Sequence, residues 1–259
     1  MDSDLLHTAR TQRFLDVAVE VHESLGSTND EAFRRAQEGA TEGLVVLAGH
    51  QTSGRGRLGR TWFDGPERSL MFSILLKPPI PLQSYPLLSL ALASSIARAA
   101  SGIATGFSIK WPNDVLHRGK KLAGVLAESR SLRPGEPAVL VLGAGVNVNY
   151  REGDFPREFR ESATSLSIAA GEDQVGMGGL FSAILASFAQ ELDLAYGGGA
   201  RALLERLRPG LPGPGSRVRI ALEGRAVEGE LLELTETGAL RVRNEASGAV
   251  ETLTAGVME

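Results

Sequence analysis

The stretch PGLPGPG at 209–215 constrains the fold more than any other segment, because it divides the chain. Its prolines fix φ and remove amide donors, and it reads as a stiff linker. Beyond it, SRVRIALEGRAVEGELLELTETGALRVRNEASGAVETLT alternates apolar and polar residues, with turns at EGR, TETG and EASG. Period-two alternation in short runs predicts strands with one buried face. Residues 211–259 are therefore expected to form a small meandering β-domain on the scale of an SH3 barrel, and residues 1–210 a larger first domain.

That first part mixes element types. LGSTNDEAFRRAQEG at 25–39 reads as a helix, with Thr28 and Glu31 in capping-box register and Gly39 as its stop. GLVVLAG at 43–49 and SLMFSILL at 69–76 are apolar runs of strand type, and 84–101 reads as a buried helix. FSIKW, KLAGVLAES and AVLVLGAGVNVN supply further strands, and 178–196 and 199–207 read as helical. The expected class is α+β: a mixed sheet with helices packed on it, then the small β-barrel.

Composition excludes several kinds of protein. A net charge of −4 argues against bulk nucleic-acid binding, which needs a basic face to displace counterions. No cysteine is present, so disulfides, thiolate metal sites and thioester mechanisms are ruled out, and the four histidines show no metal-ligand spacing. The charged start MDSDLLHTARTQRF lacks an apolar signal region, and the longest apolar tract, at 86–102, is too interrupted to span a bilayer. A cytoplasmic protein is expected, with neither DNA nor membrane as a partner.

The segment QTSGRGRLGRTWF at 51–63 satisfies G-x-G-x-x-G through Gly54, Gly56 and Gly59. A dinucleotide site needs a helix directly after the glycines and an acidic residue about 20 positions on. TWFDGP at 61–66 cannot open a regular helix, the later segment reads LLKPPIP, and no G-K-[ST] follows. What the loop does hold is Arg55, Arg57 and Arg60 spaced by glycine: planar bidentate donors on a backbone able to approach a ligand closely. This suits closure over a carboxylate or phosphate. KWPNDV at 110–115, with Lys120 and Lys121 soon after, concentrates cations around the carboxylate of Asp114, and GAGVNVN at 143–149 places Asn147 and Asn149 on one strand face.

STN at 27–29, QTSGRGRLGRTW at 51–62, KWPND at 110–114, KLAG at 121–124 and GAGVNVN at 143–149, in this order and spacing, resemble a biotin–protein ligase. The resemblance covers the chain from about residue 20 and implies a class II synthetase-like catalytic domain that binds biotin and ATP, followed by an SH3-like module. It implies two-step chemistry: biotin's carboxylate attacks the α-phosphorus of ATP, and a lysine of a biotin carboxyl carrier protein then attacks the resulting biotinyl-5′-AMP. By the same resemblance, Ser27, Thr28, Asn29 and Gln51 meet the biotin ureido ring. Arg55, Gly56 and Arg57 close over its tail and carboxylate, beside Gly124. Lys121 is the catalytic cation, bridging biotin's carboxylate and the α-phosphate, with Arg55 and Arg57 assisting. Arg60, Trp62, Asn113 and Asn147 serve the nucleotide, Trp62 covering adenine, and Asp114 serves Mg²⁺.

Too few residues precede STN for the DNA-binding domain that some relatives carry, so the ligase-only class is expected. Relatives commonly end in a Gly-Glu-(Val/Ile)-Ser-(Val/Leu)-Arg tail whose arginine reaches the nucleotide; this chain reads TAGVME there. Self-association as a homodimer is common in such proteins. Two alternatives stand beside this reading: a lipoate–protein ligase, sharing the adenylate logic, and a sensor that binds biotin without ligating it.

Overall fold

The computed structural model describes residues 2–65 and 67–259. Among them, the first sheet contains β1 (Arg13–Phe14), β2 (Val17–His22), β3 (Val45–Ala48), β4 (Ser69–Leu76), β5 (Phe107–Lys110), β6 (Asp114–His117), β7 (Lys120–Arg130) and β8 (Val139–Asn147). Their order is β1-β2-β3-β4-β8-β7-β6-β5, antiparallel throughout except for the parallel pair β2 and β3. The helices are α1 (Ser3–Thr11), α2 (Thr28–Gln37), α3 (Tyr85–Ser101), α4 (Leu166–Ala170) and α5 (Met177–Leu207), α5 being broken at Gly199. α2 is the crossover that a parallel pair requires.

Alternation decides which side of the sheet is core. Leu70, Phe72, Ile74 and Leu76 of β4, and Leu140, Leu142, Ala144 and Val146 of β8, share one cluster with residues of α3 and α5. The opposite parity, Leu75, Val139 and Val141, packs with Ala32, Phe33 and Ala36 of α2. Both faces are therefore covered at one end of the sheet.

The second sheet contains β9 (Arg217–Leu222), β10 (Arg225–Leu234), β11 (Leu240–Asn244), β12 (Val250–Leu253) and β13 (Val257–Met258), all antiparallel, in the order β12-β11-β10-β9-β13. Its turns fall at the three expected places. Val218, Ile220, Val227, Val242 and Leu253 join the same core as the first sheet. A buried hydrogen bond also ties the two sheets, Trp111 Nε1 donating to the Gly238 carbonyl at 2.9 Å. Trp111→Phe should lower stability by about 2 kcal/mol, since a buried carbonyl loses its donor. Urea unfolding followed by circular dichroism checks this.

The mixed α+β class holds. The capping box does not: Ser27, not Thr28, is the N-cap of α2. Thr28 turns its hydroxyl to Gln51, and Glu31 pairs with Arg34. Tertiary partners compete for the same side chains and prevail. Residues 61–65 form no regular helix, as expected for the segment after the glycines; Pro66 lies outside the described residues. α1, β1, β2, β6 and α4 were not anticipated from the sequence.

Candidate active site

Beyond α2, the sheet face opposite α3 lies open. On β8 the side chains that follow Val139 and Val141 on that face are Gly143, Gly145 and Asn147, and the space above them is a cavity of about 850 Å³, within the usual range for small-molecule sites. The floor is flat because it must be. A Cβ on Gly145 would collide with the Trp62 indole, and one on Gly143 with the Asn29 amide.

One end of the cavity is neutral and polar. Ser27, Thr28 and Asn29 come from the start of α2, and Gln51 from just after β3. Gln51 Oε1 accepts from the Thr28 amide at 2.8 Å and from the Thr28 hydroxyl at 3.0 Å. Gln51 Nε2 meets only the Met71 thioether, at 3.4 Å, a weak acceptor. The Gln51 amide donates to Asp64 Oδ2 at 2.9 Å, which also bonds His50 Nδ1 at 2.8 Å, so Gln51 is held at both its backbone and its side chain. Asn29 is spent within the protein: its Oδ1 lies 2.6 Å from Ser73 Oγ, and its Nδ2 donates to Glu128 Oε2 at 2.7 Å. Ser27 makes no side-chain cap bond. The donors left for a ligand at this end are Gln51 Nε2 and the Ser27 hydroxyl.

The other end is charged. Lys121 Nζ pairs with Asp114 Oδ1 at 2.7 Å and lies 5.8 Å from the Trp62 ring centroid. Lys121 and Gly124 are three apart and would face opposite sides of a regular strand. A register shift between β6 and β7 at Val115/Leu116 brings both to the cavity. A Cβ on Gly124 would sit 3.1 Å from Lys121 Nζ and 3.3 Å from Asp114 Oδ1, so glycine there makes room for the pair. Trp62 Nε1 is buried without a partner among the described residues.

Residues 54–62 form a tight hairpin: Gly56 N donates to the Arg60 carbonyl at 2.7 Å and Trp62 N to the Gly54 carbonyl at 3.0 Å. Leu58 and Gly59 are left-handed at its tip. Arg57 reaches across to the second sheet, donating to the Gly256 carbonyl at 3.2 Å and to Asn113 Oδ1 at 3.3 Å. Burial pulls its guanidinium below the usual value, with the Asp114 charge opposing. Arg57 makes no ion pair among the described residues. Arg60 also lines the cavity. Arg55 is fastened elsewhere, to Asp30, at 2.7 Å through both terminal nitrogens.

Asn113 and Asn147 act as struts. Asn113 Nδ2 donates to the Val125 carbonyl at 2.6 Å, and Asn147 Nδ2 to the Thr164 carbonyl at 3.0 Å. The residues around Thr164 form a wall that sequence reasoning missed. Lys121 N donates to the Ser162 carbonyl at 2.7 Å and Thr164 N to the Lys121 carbonyl at 2.9 Å, while Phe155 and Phe159 line the cavity. Val257 of β13 lines it as well, so the second sheet reaches the site through its backbone and an aliphatic side chain. Ser73 was detectable as a serine within the apolar run SLMFSILL; Asp64 and Glu128 carried no such signal.

Asp114 and Glu158 are the carboxylates in the cavity wall among the described residues. Asp114 meets Lys121 through Oδ1 alone, and two carboxylates on one wall are too few for an all-protein cage around Mg²⁺. The cluster with metal-ligand spacing, Glu20, His22 and Glu31, lies outside the cavity, where Arg34 and Arg35 pair with its glutamates.

Residues 21–147 match the biotin/lipoate A/B protein ligase family. Those residues form a biotin/lipoate A/B protein ligase domain. The ligase domain resembles that of the bifunctional ligase/repressor BirA of Bacillus subtilis, with 41% identity over 170 residues, 64% of this chain and 51% of that protein. It is also similar to the biotin–[acetyl-CoA-carboxylase] ligase of Mycobacterium tuberculosis, with 40% identity over 160 residues, 60% of this chain and 55% of that one. The chain thus spans about half the length of these relatives. Among solved structures, the biotin protein ligase of Aquifex aeolicus in complex with biotin and ATP superposes with a TM-score of 0.73 at 29% identity, covering 93% of this chain and 97% of that one. No helix among the described residues is long and apolar enough to cross a membrane.

Proposed function

We propose that this chain is a biotin–protein ligase acting in the cytoplasm. A carboxylate oxygen of biotin attacks the α-phosphorus of ATP and pyrophosphate leaves. The ε-amine of a carrier lysine then attacks the acyl carbon, loses its proton, and AMP leaves. The observation that carries this reading is the polarity of the cavity. A neutral end with Gln51 Nε2 and Ser27 as free donors faces an end with Lys121, Arg57 and Arg60. A ureido carbonyl fits the first end, and a carboxylate beside a phosphate fits the second.

Lys121 stabilises the charge that develops on the α-phosphate oxygens. A fixed cation does this without reorganisation at the moment of reaction. Asp114 holds that ammonium in place, and Gly124 leaves the space. Arg57, half-buried without a carboxylate partner, is suited to receive the ligand's anion. Its exchange of the Gly256 carbonyl for that anion draws the hairpin over the mixed anhydride and keeps water out. Asp114 and Glu158 are the wall carboxylates that would assist Mg²⁺, which when bound would neutralise the triphosphate's charge with phosphate and water as its chief ligands. Trp62, expected over adenine, instead lines the acyl path against Gly145, and Asn113 and Asn147, expected at the nucleotide, hold the walls.

A lipoate ligase would share the charged end. The Ser27, Thr28 and Gln51 donor set favours a ureido ring over a dithiolane. The test is ATP–pyrophosphate exchange with Mg²⁺, run with biotin, with lipoate and without acid. Exchange with biotin alone supports the proposal. Exchange with lipoate alone selects the other ligase, and none with either acid, despite biotin binding, points to a sensor.

A further inference from the structure

We propose that Asp30 and Glu128 are positioning residues that fasten the arginine hairpin against α2 and β7 through Arg55, so that Arg57, not Arg55, is left for the ligand's anion. The assignment of an adenylate-forming ligase underlies the functional half of this inference; the fastening itself does not depend on it.

Two arginines of one hairpin have opposite partners. Arg55 makes a forked pair with Asp30, Nη1 to Oδ2 and Nη2 to Oδ1, each 2.7 Å, and its Nη2 lies 3.7 Å from Glu128 Oε2. Arg130 closes the group, with its Nη2 3.4 Å from Glu128 Oε1 and 3.8 Å from Asp30 Oδ1. Two carboxylates and two guanidiniums thus alternate, which gives the forked pair more hold than an isolated surface ion pair has. The hydrogen bond and charge of Arg55 hold the Asp30 carboxyl below its usual value, against desolvation, and Asp30 raises Arg55 in turn. Among the described residues Arg57 has only neutral acceptors, Gly256 O and Asn113 Oδ1.

The fastener is also tied to the polar end of the cavity. Asp30 follows Asn29 on α2, and Glu128 Oε2 accepts from Asn29 Nδ2 at 2.7 Å. The elements that set the polar donors, α2 and β7, therefore also set where the hairpin lies. Glycine at 54, 56 and 59 gives the hairpin little stiffness of its own, and its base is held by backbone bonds such as Ser53 N to the Gly26 carbonyl at 2.8 Å and by Gln51 and Thr52. Side-chain anchors must supply the rest.

Hydrogen exchange of residues 54–61 in the full-length, ligand-free protein tests the fastening. Asp30→Ala and Glu128→Gln should each speed exchange there by about fivefold, the scale of a modest ion-pair loss, while Asp30→Glu restores protection and the distant Arg133→Ala changes nothing. In turnover, Asp30→Ala should raise the KM for biotin and the share of adenylate released before transfer, with kcat within about twofold, as expected when only loop closure is weakened. Unchanged exchange in Asp30→Ala would overturn the fastening. A fall in kcat for Arg55→Ala with no added adenylate release would overturn the division of labour, since Arg55 would then act on substrate directly. If the wild type makes no adenylate but Asp30 still governs exchange, the ligase reading fails and the fastening stands.

Discussion

Lys121→Ala lowers biotin-dependent ATP–pyrophosphate exchange by about 10²–10³-fold, the loss expected when one preorganised charge is removed from the transition state. Biotin binding changes little, because the Gln51 and Ser27 donors at the other end of the cavity are untouched. The Lys121 ammonium sits 2.7 Å from Asp114, against the space left by Gly124, so no neighbouring cation moves readily into its place. Lys121→Arg should not restore activity: its planar fork needs room that the Asp114 and Gly124 wall does not offer. Exchange kinetics beside calorimetric biotin titration provide the check. Unchanged exchange would remove Lys121 from the chemistry.

Gly145→Ala should weaken biotin binding by about 10- to 100-fold, which corresponds to the 1–3 kcal/mol of an overpacked site. The added carbon would collide with the Trp62 indole. The backbone cannot give way, because Gly145 is paired with Met71 of β4 on one side and Gly124 of β7 on the other. Trp62 must move, and with it the hairpin that it ends. Circular dichroism should show the fold unchanged while titration shows the loss; wild-type affinity would mean that Trp62 has no part in the site. Gly143→Ala should cost stability as well, since Asn29 beneath it is buried and bonded to Ser73 and Glu128.

Much of the fold was legible because periodicity survives in this chain. SLMFSILL became β4 from Ser69 to Leu76, and of AVLVLGAGVNVN the part from Val139 to Asn147 became β8. The short amino-terminal elements were not legible: β1 has two residues and β2 no clear alternation of burial, so neither carries enough pattern to read. The candidate site was legible in much of its membership: each residue given a ligand role from the motifs lines the cavity, whereas Asn149 turns to Val175 instead. It was not legible in its connections. Asn29 and Gln51 look alike in sequence as amide donors, yet Asn29 is consumed by Ser73 and Glu128 while Gln51 keeps Nε2 toward the cavity. Arg55 and Arg57 look alike as loop cations, yet one meets carboxylates and the other only neutral oxygens.

The sequence by itself determined the longer strands and helices, and that glycine, arginine and lysine recur in the motifs that line the cavity. Those properties are local: backbone freedom, side-chain charge and the period of burial reside in neighbouring residues. Only the tertiary structure decided that a register shift turns Lys121 toward Asp114, that Gly145 lies under Trp62, and that the Gly256 carbonyl of the second sheet holds Arg57. Each of these depends on which side chains from distant segments compete for one partner, and that competition is settled only once the sheets are packed.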